Sequence, residues 1–459
     1  MFLWARSKKA LPPSTGLLTA SVLVTWIFAK SITNAANLGE KYGILGGLAY
    51  AAWYLSVPAA GILIYRIRRS GHEGLIPFLT ARFGPAAAFL FSAAILIRLF
   101  NEVWSNTAVV GSYFGVSGSA SYYLGIFAFT ACVLLYTFRG GLRASIFTDQ
   151  LQLTLAVVLL AWVLGMVLPS HGVKSLTSTS TLTMAGGLDL LLVALLQVTS
   201  YPFHDPVLTD RAFVTPPRKM LLAYSLAGVL GGFFILLYST LGIHARLSGL
   251  SGAGDAPVRV AGALGSSAVL IISLLMMNSA GACLDSCFSA IARHVSVDLA
   301  GEGGAHPSGF RGLIAPLRRW ASRDRGLSLA RGAMLFFAAI GNVPLFWKAD
   351  ILKATTISGT MVLGLAPAFL FWSWHRCAPR AFYLSFLLGL GVGIVGVAGF
   401  WPRTLWIGNG ANAALLGQNL YGLALCIAGY AVGVLWESLR ARSTQPAAYF
   451  EPVVETEWQ

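Results

Sequence analysis

Apolar residues in this chain do not alternate with polar ones. They come in runs of about 20, each long enough to cross a bilayer as a helix, divided by short polar or basic stretches. The pattern predicts twelve spans, at 16–37, 43–65, 85–115, 120–138, 144–168, 186–204, 220–243, 258–292, 329–346, 350–373, 381–401 and 413–437. The runs are too long and too uniformly apolar to be the alternating strands of a barrel. Two of them are interrupted. In the first, the apolar stretch Val22–Ala29 gives way to Lys30, then to Ser31, Thr33, Asn34 and Asn37. The sixth ends in LQVTSYPFHDPVLTDR (196–211), where Pro202 and Pro206 bracket His204 and Asp205. Irregular backbone at membrane depth is tolerated only where protein or a cavity surrounds it. Breaks five spans apart are what an inverted five-plus-five repeat predicts, with a binding site between the two halves; two ordinary kinks are the plainer alternative.

Composition agrees with the pattern. The 459 residues are 56% hydrophobic and 11% charged, with mean hydropathy +0.71, whereas a soluble domain carries about 25% charged residues. The fold class expected is all-α and polytopic. No small-residue cleavage site follows the first apolar run, so no cleavable signal peptide is expected. Cys132, Cys283, Cys287, Cys377 and Cys426 all lie in or beside apolar runs, and no structural disulfide is expected.

A net charge of +15 would suit a nucleic-acid ligand, but its placement points elsewhere. With the N-terminus in the cytoplasm, 23 Lys and Arg fall on the cytoplasmic side and 7 outside, while Lys30 and Arg98 lie within spans. That is the bias which orients membrane proteins, so the partners expected are lipid and a small solute, with no nucleic acid. Both termini (1–15 and 438–459) and a Gly-, Arg- and Ser-rich loop at 293–328 are assigned to the cytoplasm of a bacterial-type inner membrane. Oligomeric state is not legible. No HExxH, GxxxxGK[ST], GxSxG or CxxC occurs, so nothing suggests ATP-driven transport or metal-assisted hydrolysis, and no enzyme is expected.

Four stretches carry a family resemblance. GGLRASIFTDQLQ (140–152) resembles a Gly-Gly-Leu … Thr-Asp-x-x-Gln motif at the start of a fifth core helix. TWIFAKSITNAANLGEKYG (25–43), HDPVLTDRAF (204–213) and ACLDSCFSAIARHVSVDL (282–299) follow in matching order, with Asp205, Arg211, Asp285, Ser286 and Asp298 in register. Together they resemble the sodium:solute symporter family, relatives of the sodium/glucose and sodium/proline symporters. The resemblance implies a LeuT-like fold and uptake of a small solute down a sodium gradient. That family carries an extra helix before its core, and MFLWARS resembles the segment after that helix.

Site residues follow from the same register. The family's coupling sodium would sit at the carbonyls of Val24 and Ile27 and at Ser279, Ala282 and Cys283. Ala282 and Cys283 replace hydroxyl residues, and a hard cation takes oxygen ligands, not a methyl or a thiol. Asn278, Asp285, Ser286 and Ser289 are oxygen-bearing neighbours. Coupling to sodium, coupling to protons, and a transport-inactive sensory module of the same fold therefore all stay open; no other cofactor is expected. Lys30 matches a substrate-contacting position and admits three readings: a partner for an anionic solute, a substitute for the cation or a proton carrier, or a static ion pair with Asp285 or Glu102. Asp149 would lie on the cation's path, or simply favour a helix start. Arg98 and Glu102, four apart on one helix face, are expected to pair. Asp205 matches a solute- or gate-contacting position, and His204 beside it is either a hydrogen-bonded structural residue, the plainer reading, or a group that titrates near neutral pH. Trp26, Ser31, Trp53, Tyr54, Trp104 and Tyr201 are candidate pocket walls. Lys30 tilts the solute toward a carboxylate, and the glycines of LGLGVGIVGVAG (388–399) toward close helix packing.

Overall fold

The structure is a computed structural model that describes residues 12–177, 180–299, 323–347, 350–374 and 378–444. Most of the expected N-terminal segment, most of the 293–328 loop, the tail beyond Thr444, Cys377, and the side chains of Gly140–Ala144 in the fifth-helix motif lie outside the described residues. All elements described are helical.

The first span is two helices, α1 (Thr15–Trp26) and α2 (Ala29–Tyr42), bent by 61° at the break. Ile27 and Phe28 leave helical geometry there, with ψ 68° and 149°. The chain returns through α3 (Ile44–Ala52) and α4 (Ser56–Arg69), passes a short α5 (Leu75–Phe83), and crosses again in α6 (Pro85–Gly111). We call the face that holds Thr15, Arg69 and Pro85 the near face, and the one that holds Tyr42 and Gly111 the far face.

The helical stretch α7 (Ala120–Thr177) numbers 58 residues; drawn straight, it would run about 87 Å, nearly three bilayer cores. It doubles back instead: Phe129 and Gln152 both flank Gly281 of a later helix. Its two apolar arms, Ala120–Phe138 and Ser145–Gly172, are separate spans.

The sixth span is a series of pieces: α8 (Asp189–Gln197), a turn at Tyr201–His204, and α9 (Pro206–Arg211). Asp205 caps α9, accepting from the Val207 N–H, and Pro206 occupies the first helical position, where its missing N–H is harmless. Next come α10 (Pro217–Leu247), α11 (Ala256–Leu264), α12 (Ser266–Arg293) and α13 (Arg323–Ile340).

The tenth span differs from expectation. It is not one helix over 350–373 but α14 (Ile351–Met361) and α15 (Leu365–Leu370), parted at Val362–Gly364. Pro367 supplies no N–H to continue the ladder, and a Cβ at Gly364 would collide with the Ser385 carbonyl. Two long helices finish the described chain, α16 (Pro379–Val397) and α17 (Ala413–Thr444). Among the described residues nine helices are long and apolar enough to cross a membrane, ten with the bent first pair. The expected sixth and tenth spans miss that test because they are broken. The chain is an integral membrane protein.

Close packing positions α2. Gly39 lies against the Ser239 carbonyl, and Gly242 against the Ala36 carbonyl. The absence of a Cβ at each lets α2 and α10 meet backbone to backbone.

Candidate functional site

The broken first and sixth spans are both tied to α6 by buried charge. Lys30 Nζ, on the first turn of α2, lies 2.5 Å from Glu102 Oε1. Arg98 pairs with Glu102 one turn away, and its Nη2 reaches Asp205 Oδ2 at 3.3 Å. All four side chains are at most 1% exposed. Asn106 Nδ2 donates to Glu102 Oε2 at 3.1 Å and lies 3.3 Å from Cys283 Sγ. The tetrad holds two formal positive and two negative charges, so it is neutral as a unit. A buried charge left single would cost several kcal/mol. Of the readings open for Lys30, the static partner is Glu102; Asp285 belongs to another network.

That second network lies toward the near face. Arg211 Nη2 donates to Asp149 Oδ2 at 3.2 Å and to Ser286 Oγ at 2.8 Å. Ser21 of α1 donates to Asp149 Oδ2 at 2.5 Å. Asp285 accepts from Ser145 at 3.0 Å and Tyr136 at 3.1 Å. Arg211 pairs with Asp149 directly and connects to Asp285 only through the Ser145 and Ser286 hydroxyls, and Oδ1 of Asp149 has no hydrogen-bond partner. Nearer the face, Arg293 pairs with Asp210 and Asp298, latching α9 to the end of α12.

Between the tetrad and α3 lies a small cavity of about 20 Å³, lined by Trp26, Phe28, Lys30, Ser31, Tyr50, Trp53, Tyr54, Tyr201 and Thr355. That volume admits roughly one water. The Tyr54 hydroxyl donates to the Trp26 carbonyl at 2.5 Å, and Trp53 Nε1 donates to Gln197 Oε1 at 3.0 Å. Nε1 of Trp26 is buried without a partner. On the far side, Tyr50 Oη meets Ser31 Oγ at 3.3 Å and Asn34 Nδ2 at 3.4 Å. Beyond Asn34 opens a cavity of about 950 Å³, walled by Lys41, Tyr113, Tyr122, Asp255, Asp350 and Asn412 among others.

Lys30, Ser31, Trp53, Tyr54 and Tyr201 thus converge on one cavity with Trp26. Asp205 stands behind it, joined through Arg98, whose guanidinium is 5.0 Å from the Tyr201 ring centroid. Trp104 does not reach it and packs with Tyr122, Ile126 and Leu345. His204 Nε2 meets Ser358 Oγ at 3.2 Å. Val24 lies on α1 and Ile27 at the break that ends it, and Ser279 and Ala282 lie on α12, which packs on α1. Ser279 Oγ is buried without a partner. Cys283 is turned instead toward Glu102 Oε2, at 3.7 Å. Sequence reasoning missed Phe28, Tyr50 and Thr355. Phe28 and Tyr50 sit in apolar runs with no local signal, and Thr355 was inside a span taken as regular.

The profile of the sodium:solute symporter family matches residues 15–296. Over 157 residues the chain is 26% identical to the probable urea active transporter 1 of Schizosaccharomyces pombe, covering 32% of this chain and 22% of that protein. Over 142 residues it is 28% identical to sodium/glucose cotransporter 1 of Mus musculus, covering 30% and 21%. The aligned segment is thus about a fifth of either relative's length. A Na+-coupled sialic acid symporter, solved substrate-bound and outward-open, superposes with TM-score 0.68 at 14% identity over 92% of this chain and 90% of that one. Mhp1 in its inward-facing conformation superposes with TM-score 0.58 at 12% identity over 95% and 94%. At such identities these two structures establish the fold, which is LeuT-like.

Proposed function

The chain belongs to the sodium:solute symporter family, and on that premise we propose that it is a secondary active transporter: a symporter that moves a small, carboxylate-bearing solute inward by alternating access. The relatives named above are transporters, not enzymes. The observation that carries the reading is the tetrad. One helix, α6, holds Lys30 from the first broken span and Asp205 from the sixth beside an aromatic cavity below an open vestibule. Solute-binding residues are Lys30, Ser31, Trp53, Tyr54 and Tyr201, with Asp205 acting through Arg98.

Electrostatics supports coupling. The tetrad is neutral before solute arrives. A carboxylate that takes Lys30, with Trp26 Nε1 donating to its second oxygen, leaves Glu102 to Arg98 and brings one surplus negative charge into a low-dielectric site. A cation entering with it removes the surplus. The cation is sodium at Val24, Ile27 and Ser279, or a proton; its route to the near face passes Asp149, which pairs with Arg211, and Asp285, which the Ser145 and Ser286 hydroxyls link to the same network. The near face is the cytoplasmic side of an inner membrane, in keeping with the Lys and Arg bias.

A second reading has one observation behind it: Ala282 and Cys283 offer no hard oxygen ligand. On that reading the fold serves sensing without transport. Solute counterflow into liposomes separates the two. Solute-induced stabilisation of the purified protein, measured in sodium and in potassium at two pH values, tests coupling; a shift that is equal under all four conditions overturns it. Lys30→Ala should abolish binding of a carboxylate solute, and unchanged affinity would reject that solute class.

A further inference from the structure

Two imidazoles stand together at the far face, away from both charge networks. His171 lies near the end of the second arm of α7, and His244 near the end of α10. Their ring centroids are 5.0 Å apart with planes at 57°. His171 Nε2 lies 2.9 Å from Ser248 Oγ in the loop beyond α10. Nδ1 of His244 is buried and has no hydrogen-bond partner, although the residue is only 4% exposed. Nothing in the transport reading uses either ring.

The separation carries chemical information. An imidazole nitrogen binds zinc at about 2.0–2.1 Å, which puts the ring centroid about 3.2 Å from the ion; two rings on one tetrahedral ion are then about 5.2 Å apart. The observed spacing matches that figure before any ion is added. Histidines that bind metal commonly donate the other ring N–H to an oxygen, which fixes the ring's orientation. Ser248 is so placed for His171, and the orphaned Nδ1 of His244 has an unmet need that an ion between the rings would meet. Among the described residues no group of three or more His, Cys, Asp or Glu could hold a metal, so water would complete the coordination. Ser248 is exposed and His171 partly so, which gives an ion a way in.

We propose that His171 and His244 form a two-imidazole site for a borderline transition-metal ion, Zn2+ or its neighbours Cu2+ and Ni2+, bridging α7 and α10. Imidazole suits these ions and not hard ones such as Mg2+. Helix α10 packs on α1, α2, α3 and α4, and α7 packs most extensively on α12 and next on α1; the two helices also touch each other. An ion held by both rings therefore adds a tie between α7 and α10 at their far-face ends.

The test uses untagged, full-length protein carrying Cys132→Ser, because Cys132 is an exposed free thiol. Zn2+ is titrated by calorimetry, and thermal unfolding is followed with Zn2+, Ni2+ and Mg2+. Expected are saturable zinc binding weakened about tenfold or more by His171→Ala, and a rise in unfolding midpoint with Zn2+ and Ni2+ that this variant loses and Mg2+ never gives. His171 is partly exposed, so its replacement should fold; His244→Gln, where it folds, should behave alike. Zinc affinity and midpoint shift unchanged in His171→Ala would overturn the proposal, as would no zinc-induced shift in the parent. Neither readout involves solute, so failure of the symport reading leaves this test standing.

Discussion

An ammonium and a carboxylate buried against each other are worth little relative to apolar residues of the same shape, but removing either one strands the other. Lys30 and Glu102 are such a pair, 2.5 Å apart and at most 1% exposed; Arg98 still holds Glu102 when Lys30 is lost, but the tetrad is then left with one uncompensated negative charge. Lys30→Met should lower stability by about 3 kcal/mol or more, read as a depressed unfolding midpoint in detergent. Adding Glu102→Gln should recover part of the loss, because Arg98 keeps Asp205. Losses that simply add would show that the two groups do not interact. The pairing of Arg98 with Glu102 was legible from their spacing on one helix face, and so was the exposure of Lys30 to a polar interior. The choice of Glu102 over Asp285 was not. Both acids are in apolar runs, and only packing decides that Ser145 and Tyr136 hold Asp285 while Asn106 orients Glu102.

Among elements, the breaks in the first and sixth spans announced themselves through polar residues and paired prolines. The tenth did not, since a single Pro367 amid apolar residues reads as easily as a tolerated kink. Thr355, on α14 ahead of the break, lines the central cavity. The contact of α2 with α10 rests on glycine. A Cβ at Gly242 would collide with the Ala36 carbonyl, whereas nothing lies within 4 Å of one at Gly391. Gly242→Ala should therefore destabilise by about 1–3 kcal/mol through overpacking, and Gly391→Ala should be neutral or stabilising. Equal midpoints for the two variants would contradict the close approach. The glycine-rich run at 388–399 divides the same way: Gly389 and Gly393 meet neighbours at once, and Gly391 does not. Sequence marks the run as packing but cannot say which members touch.

For the molecule as a whole, composition and charge placement were enough to predict a polytopic bundle, and four motifs its family. The conformation was beyond their reach, because one sequence would have to serve every state of the alternating-access cycle proposed above. The state described here is asymmetric, with a far-face vestibule of about 950 Å³ above a central cavity of about 20 Å³. That difference makes water a participant in the equilibrium. A vestibule of about 950 Å³ that closes over its solute returns on the order of tens of waters to bulk. Solute affinity should then rise as water activity falls, when an osmolyte too large for the vestibule is added. Glycerol, small enough to enter, should have the weaker effect at equal osmolality. A flat response to both would mean that the vestibule stays wet when the solute binds. A steep one would make this protein's hold on its solute a function of the osmotic strength at its far face.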